Sequence, residues 1–118
     1  MNIGGEAMIN IDDNNIFITR GDTALFNIEM LDADDEPYTM SADESIIFTV
    51  KRMYEYGEIV IEKTSSIAQI ALTSDDTKNL SFGSYKYDVY LYNSTTHEIN
   101  TFIANKSFYI GEEVHDFE

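Results

Sequence analysis

The chain has 118 residues, 22 of them acidic and seven basic, for a formal charge of −15, and it has no cysteine. One compact domain is the expectation at this length. The missing thiols exclude a disulfide scaffold, thiolate zinc sites and cysteine nucleophiles, and the acidic excess argues against nucleic acid and anionic membranes as partners.

Eight tyrosines, seven phenylalanines and a single proline favour strands over helices. Residues 1–14 read as an N-terminal arm, with strand character only at Met8 to Ile11 and no basic start or apolar middle of a signal peptide. Asn15 to Arg20 is a short strand, and Arg20, Gly21 and Asp22 form its closing turn, because Gly reaches positive φ and Asp hydrogen-bonds its own backbone. An Arg-Gly-Asp triplet in a tight turn between strands is read as structural, not as an integrin ligand. From Thr23 to Leu31 the chain alternates, with Ala24, Phe26, Ile28 and Met30 on one face.

The acidic run from Asp32 to Glu36 begins like a calcium loop, but the glycine and the bidentate glutamate that complete one are missing. A solvated hairpin loop is the stronger reading, and calcium binding there stays open. Pro37 cannot donate to a ladder. Ser45 to Met53 is a strand with Ile46, Phe48 and Val50 on one side. The loop from Arg52 to Glu58 carries Tyr54, Tyr56 and Gly57, and Ile59 to Thr64 and Ile67 to Leu72 are strands joined at Ser65 and Ser66.

The stretch from Ala71 to Asn93 organises the rest. Thr73 or Ser74 can cap a single helical turn, Asp75 and Asp76 sit at its positive end, Leu80 points back to the core, and Gly83 suits a turn needing positive φ. Tyr85, Tyr87, Val89 and Leu91 then alternate with Lys86, Asp88, Tyr90 and Tyr92, which is the period of a strand. A short helical crossover before Gly-x-Tyr-x-Tyr is how many β-sandwiches turn the E–F corner, with the tyrosine hydroxyl reaching back to the crossover backbone. Tyr85 is the candidate for that contact; the alternative is a large core residue with its hydroxyl at the rim. A last hairpin runs through Asn93 to His97 into a long strand ending near Ile110, with Asn105 marking a bulge or kink. Residues 112–118 form an acidic tail. About seven strands separated by turns make an all-β, antiparallel β-sandwich over residues 15–111.

No catalytic or metal-binding pattern emerges. His97 and His115 have no partners at metal or triad spacing, and there is no Gly-rich phosphate loop or Gly-x-Ser-x-Gly elbow. The surplus is aromatic: Tyr90 and Tyr92 face outward if Tyr85 and Tyr87 face inward, and Tyr54 and Tyr56 lie on a loop. Outward tyrosines are enriched at protein interfaces, or else they make ordinary cross-strand pairs.

Residues 18–23, 42–52, 76–89 and 101–110 resemble a family of small phage and prophage proteins. Over nearly all of Asn15 to Val114 the chain is similar to the N-terminal immunoglobulin-like domain of phage baseplate upper proteins and related tail components of Gram-positive hosts. The resemblance implies an immunoglobulin-like antiparallel sandwich with one short helical turn at the E–F corner. It also implies a non-enzymatic virion structural protein, made in the host cytoplasm, that docks on other phage structural proteins or further copies of itself and needs no cofactor. Gly21, Asp22, Leu80, Gly83, Tyr85 and Tyr87 are the structural residues of that reading, and Tyr54, Tyr56, Tyr90 and Tyr92 the candidate interface. The arm of residues 1–14 has no counterpart in the family. A carbohydrate- or cell-surface-binding sandwich using the same four tyrosines is the alternative, and a hydrolase built on two distant carboxylates is a third.

Overall fold

The structure is a computed structural model that describes residues 15–53 and 57–112, together with the backbone of residues 7–10. The chain is mostly strand: β1 (Ala7–Asn10), β2 (Ile16–Thr19), β3 (Ala24–Asn27), β4 (Glu44–Arg52), β5 (Ile59–Ser65), β6 (Gln69–Leu72), one turn of helix α1 (Ser74–Thr77), β7 (Gly83–Asn93) and β8 (Ile99–Gly111). A five-stranded sheet has the order β2-β8-β7-β4-β5, and a smaller one has the order β1-β3-β6.

Side-chain alternation builds the core between them. Along β4, Ile46, Phe48 and Val50 are buried, and along β7 so are Tyr85, Tyr87, Val89 and Leu91. The small sheet answers with Ala24 and Phe26 from β3 and Ile70 and Leu72 from β6. Phe48 is the hub: its ring lies 6.0 Å from Phe26 across the sheets, 5.4 Å from Tyr87 and 6.1 Å from Phe108 within its own sheet. Ile28 and Met30 continue the β3 pattern past the end of the strand and are also buried.

Two features differ from the sequence expectation. Among the described residues there are eight strands, not about seven, because part of the presumed N-terminal arm is β1, on the edge of the small sheet. The sheets are also mixed rather than antiparallel: β1 runs parallel to β3, and β2 runs parallel to β8. The burial pattern of a short edge strand is the same in either direction, so alternation alone does not reveal which strand it joins.

The β7–β8 ladder is irregular. Its register shifts between Tyr87 and Tyr90, where Asn105 adopts φ 56°. Asn tolerates that left-handed conformation better than most residues. The Asn105 N–H, released from the ladder, donates to the Asp88 carboxylate at 2.8 Å.

Candidate functional site

The most heavily tied part of the molecule is the corner between β6 and β7. The Asp76 carboxylate accepts the Thr73 N–H at 2.7 Å and lies 3.2 Å from the Thr73 hydroxyl, closing the start of α1. Lys63, arriving from β5, pairs with the same carboxylate at 3.0 Å. Lys78 stands 2.8 Å from Asp75, and its ammonium holds that carboxyl below its ordinary range.

Two further bonds join this corner to the sheets. The N–H of Gly21 donates to Thr77 Oγ1 at 2.8 Å, across 56 residues of sequence. Thr77 is completely buried (0% exposed), so the hydroxyl replaces the solvent that this amide would otherwise need. Gly21 can present that N–H because it sits at φ 85°, where a side chain is strained. The Tyr85 hydroxyl donates to the Ser81 carbonyl at 2.8 Å, while its ring is 3% exposed. Tyr85 is therefore both a core residue and a backward-reaching hydrogen-bond donor. Between these anchors Leu80 packs against the core, and Gly83 starts β7 at φ 133°. Asp22 closes the turn after β2, its N–H donating to the Thr19 carbonyl at 3.1 Å. Tyr87 lies wholly in the core, and burial pushes its hydroxyl well above the usual tyrosine range.

Of the four candidate interface tyrosines, the structure describes two. Tyr54 and Tyr56 lie outside the described residues. Tyr90 and Tyr92 occupy the outer face of β7 and are half-buried. Tyr90 stands between Ile47 and Thr101, and the Tyr92 hydroxyl lies 2.9 Å from Nδ1 of His97 at the hairpin. The aromatic group that sequence reasoning missed is at the other end of the same sheet. Phe17 is 67% exposed and its ring centroid is 4.6 Å from that of Tyr109; nearby, the Arg20 guanidinium lies 4.1 Å above the Phe82 ring. The alternation of Ile16, Phe17 and Ile18 already places Phe17 opposite the core face. Thr77 was missed too, because nothing in a single helical turn distinguishes an anchoring threonine from a solvated one.

An open cleft of about 460 Å³ lies beside this corner, with Arg52, Met53, Phe82 and Ser84 in its wall. Arg52 is held by Glu58 at 3.0 Å. The cleft offers a cation, a serine hydroxyl and apolar contact. The acidic loop is organised from within: Asp32 Oδ1 accepts the N–H groups of Asp34 and Glu36 at 2.8 and 3.0 Å. Among the described residues no cluster of three or more His, Asp or Glu could hold a metal ion, and no helix is long and apolar enough to cross a membrane. The sequence matches no protein-family model and no curated protein.

Proposed function

We propose that the protein is a non-enzymatic structural module of a phage or prophage particle, an immunoglobulin-like sandwich of the tail or baseplate that docks on other virion proteins. The observation that supports the immunoglobulin-like part of this reading is the bond from Tyr85 to Ser81. It sits at the crossover from one sheet to the other, where an immunoglobulin-like sandwich passes from strand E to strand F. In that frame β3 and β6 correspond to B and E, β4, β7 and β8 to C, F and G, and β5 to an added C′, with β2 beside G.

Fold alone does not assign function. The virion assignment comes from the likeness of residues 18–23, 42–52, 76–89 and 101–110 to phage tail components. The docking role is supported by the surface: Phe17, Phe82 and Met53 leave large apolar area in solvent around one end of the five-stranded sheet, and such area, rimmed by polar groups, marks protein contacts. The test is mass spectrometry of particles purified from an induced culture of the strain that carries the gene. Peptides of this chain at a fixed ratio to tail proteins are expected, and particles free of them would contradict the assignment.

A further inference from the structure

Among the described residues, the irregularities of the five-stranded sheet fall on its outer ladders. The central pair, β4 with β7, runs from Glu44–Asn93 to Arg52–Tyr85 without a shift. The β4–β5 ladder shifts between Val50 and Lys51, and the β7–β8 ladder shifts twice, between Tyr87 and Val89 and again between Val89 and Tyr90. Each shift on β8 is one extra residue. Thr101 and Ile103 face the consecutive Tyr90 and Val89, which leaves Phe102 unmatched. Lys106 and Ile103 face Tyr87 and Val89 with one residue too many between them, and there Asn105 turns to φ 56°.

The core needs neither extra residue. With Phe102 and Asn105 taken out, Ala104 would face Asp88, Ile103 would still face Val89, and Lys106, Phe108 and Ile110 would keep Tyr87, Tyr85 and Gly83. The buried apolar residues of β8, Ile103, Phe108 and Ile110, are therefore the same with or without the bulges. Phe102 and Asn105 are both exposed and lie outside the core cluster. The second bulge is nonetheless held in place, because the Asn105 N–H donates to Asp88 Oδ1 at 2.8 Å while Oδ2 of the same carboxylate stands 3.9 Å from the Lys51 ammonium.

What the bulges alter is an edge. β2 covers β8 from Phe108 to Gly111, and the Ser107 N–H, 3.4 Å from Asn15 Oδ1, marks where that cover stops among the described residues. From Ile99 to Lys106, β8 has β7 on one side and, among the described residues, no strand on the other. A bare edge is a template for a strand of another chain, and proteins blunt such edges with charge, proline or bulges. The opposite edge strand, β5, carries Glu62 and Lys63. Residues 99–105 of β8 carry no charge and no proline, and Ile99 is 60% exposed. A bulge bends its strand and sharpens the local twist, which is the one form of protection this stretch has.

We propose that the two bulges of β8 are a guard that keeps this edge from pairing with the same edge of a second copy of the chain. A second copy is the partner guarded against because an uncharged strand laid antiparallel to itself opposes no like charges. Pairing of identical edges about a two-fold axis also closes without any further surface. Association is thereby left to side-chain surfaces elsewhere on the molecule. The inference rests on the register of β8 and is independent of the virion reading.

The test compares three chains by sedimentation velocity, from about 10 μM to about 1 mM at about 0.15 M salt, a range that detects weak contacts. Urea unfolding shows whether each is folded. Removal of Phe102 and Asn105 together is expected to strengthen self-association at least about tenfold over the unmodified chain. Adding Thr101→Lys to that deletion is expected to return association to the unmodified level, since a lysine on an edge strand opposes pairing. Hydrogen exchange locates the contact: amides between Ile99 and Ala104 that β7 leaves open are expected to slow with rising concentration in the deletion variant and not in the unmodified chain. A folded deletion variant that associates no more than the unmodified chain, or one whose association survives Thr101→Lys, would overturn the proposal. A deletion variant that cannot fold would overturn it as well, because the core would then need the two residues. So would edge amides that slow with concentration in the unmodified chain.

Discussion

The two ends of the five-stranded sheet are held by different kinds of bond. At the corner, Gly21 to Thr77 spans 56 residues, and Lys63 of β5 reaches Asp76 in α1. At the acidic end most bonds are local: Asp32 to Asp34 and Glu36, Tyr38 to Glu44, and Asn93 to Thr95 and Thr96. The contact of Ser94 with Asp43 is the exception. Bonds between distant residues close large loops and bind one sheet to the other, whereas local bonds shape a turn without committing the rest of the chain. The corner is therefore expected to report on global stability and the acidic end on itself.

Substitutions graded by position sharpen that contrast. Phe48, the hub shared by both ends, sets the upper limit: Phe48→Ala removes ring contacts with Phe26, Tyr87 and Phe108 and is expected to cost about 3–5 kcal/mol in urea unfolding. At the corner, Thr77→Val keeps the shape but leaves the Gly21 N–H without its acceptor. The expected loss is about 1–3 kcal/mol by the same measurement. Tyr85→Phe removes only the bond to Ser81 and keeps the buried ring, for a loss of about 1 kcal/mol.

At the acidic end the effects are smaller and depend on pH. The Ser41 N–H and then the Tyr38 hydroxyl hold the Glu44 carboxyl below its ordinary range. A carboxyl whose folded pKa is depressed contributes stability above its unfolded pKa, about 4.3, and loses it as pH falls through the folded value. Thermal melts of Glu44→Gln are therefore expected to lie below those of the unmodified chain at neutral pH. The two are expected to converge as acid protonates Glu44. Smallest of all, Asp32→Ala breaks two exposed bonds and is expected to shift global stability by no more than about 0.5 kcal/mol, while quickening exchange of the Asp34 amide. A global loss as large as that of Thr77→Val would break the contrast.

The inner faces were legible in the sequence because strand periodicity is a property of consecutive residues. Ile46, Phe48 and Val50, and Tyr85, Tyr87, Val89 and Leu91, are buried as their alternation requires. The helical turn before Gly83 and the bulge at Asn105 were legible for a similar reason, since capping residues and left-handed φ leave local signatures. What could not be read was which distant residues meet. The parallel pairing of β2 with β8, the burial of Thr77 under the Gly21 turn and the stacking of Phe17 on Tyr109 all depend on chain path. Phe17 joins Tyr90 and Tyr92 as an outward aromatic residue for that reason.

Hydrogen exchange at the Gly21 amide tests most directly whether long-range bonds at the corner join the two sheets. Gly21 sits in a surface turn, where an amide open to solvent exchanges quickly, yet its N–H is held by a buried hydroxyl. Protection comparable to the central amides of β7 is expected, because freeing it requires the sheets to part. Exchange as fast as that of the Asp34 amide would show that the turn opens by itself and that the corner does not hold the body together.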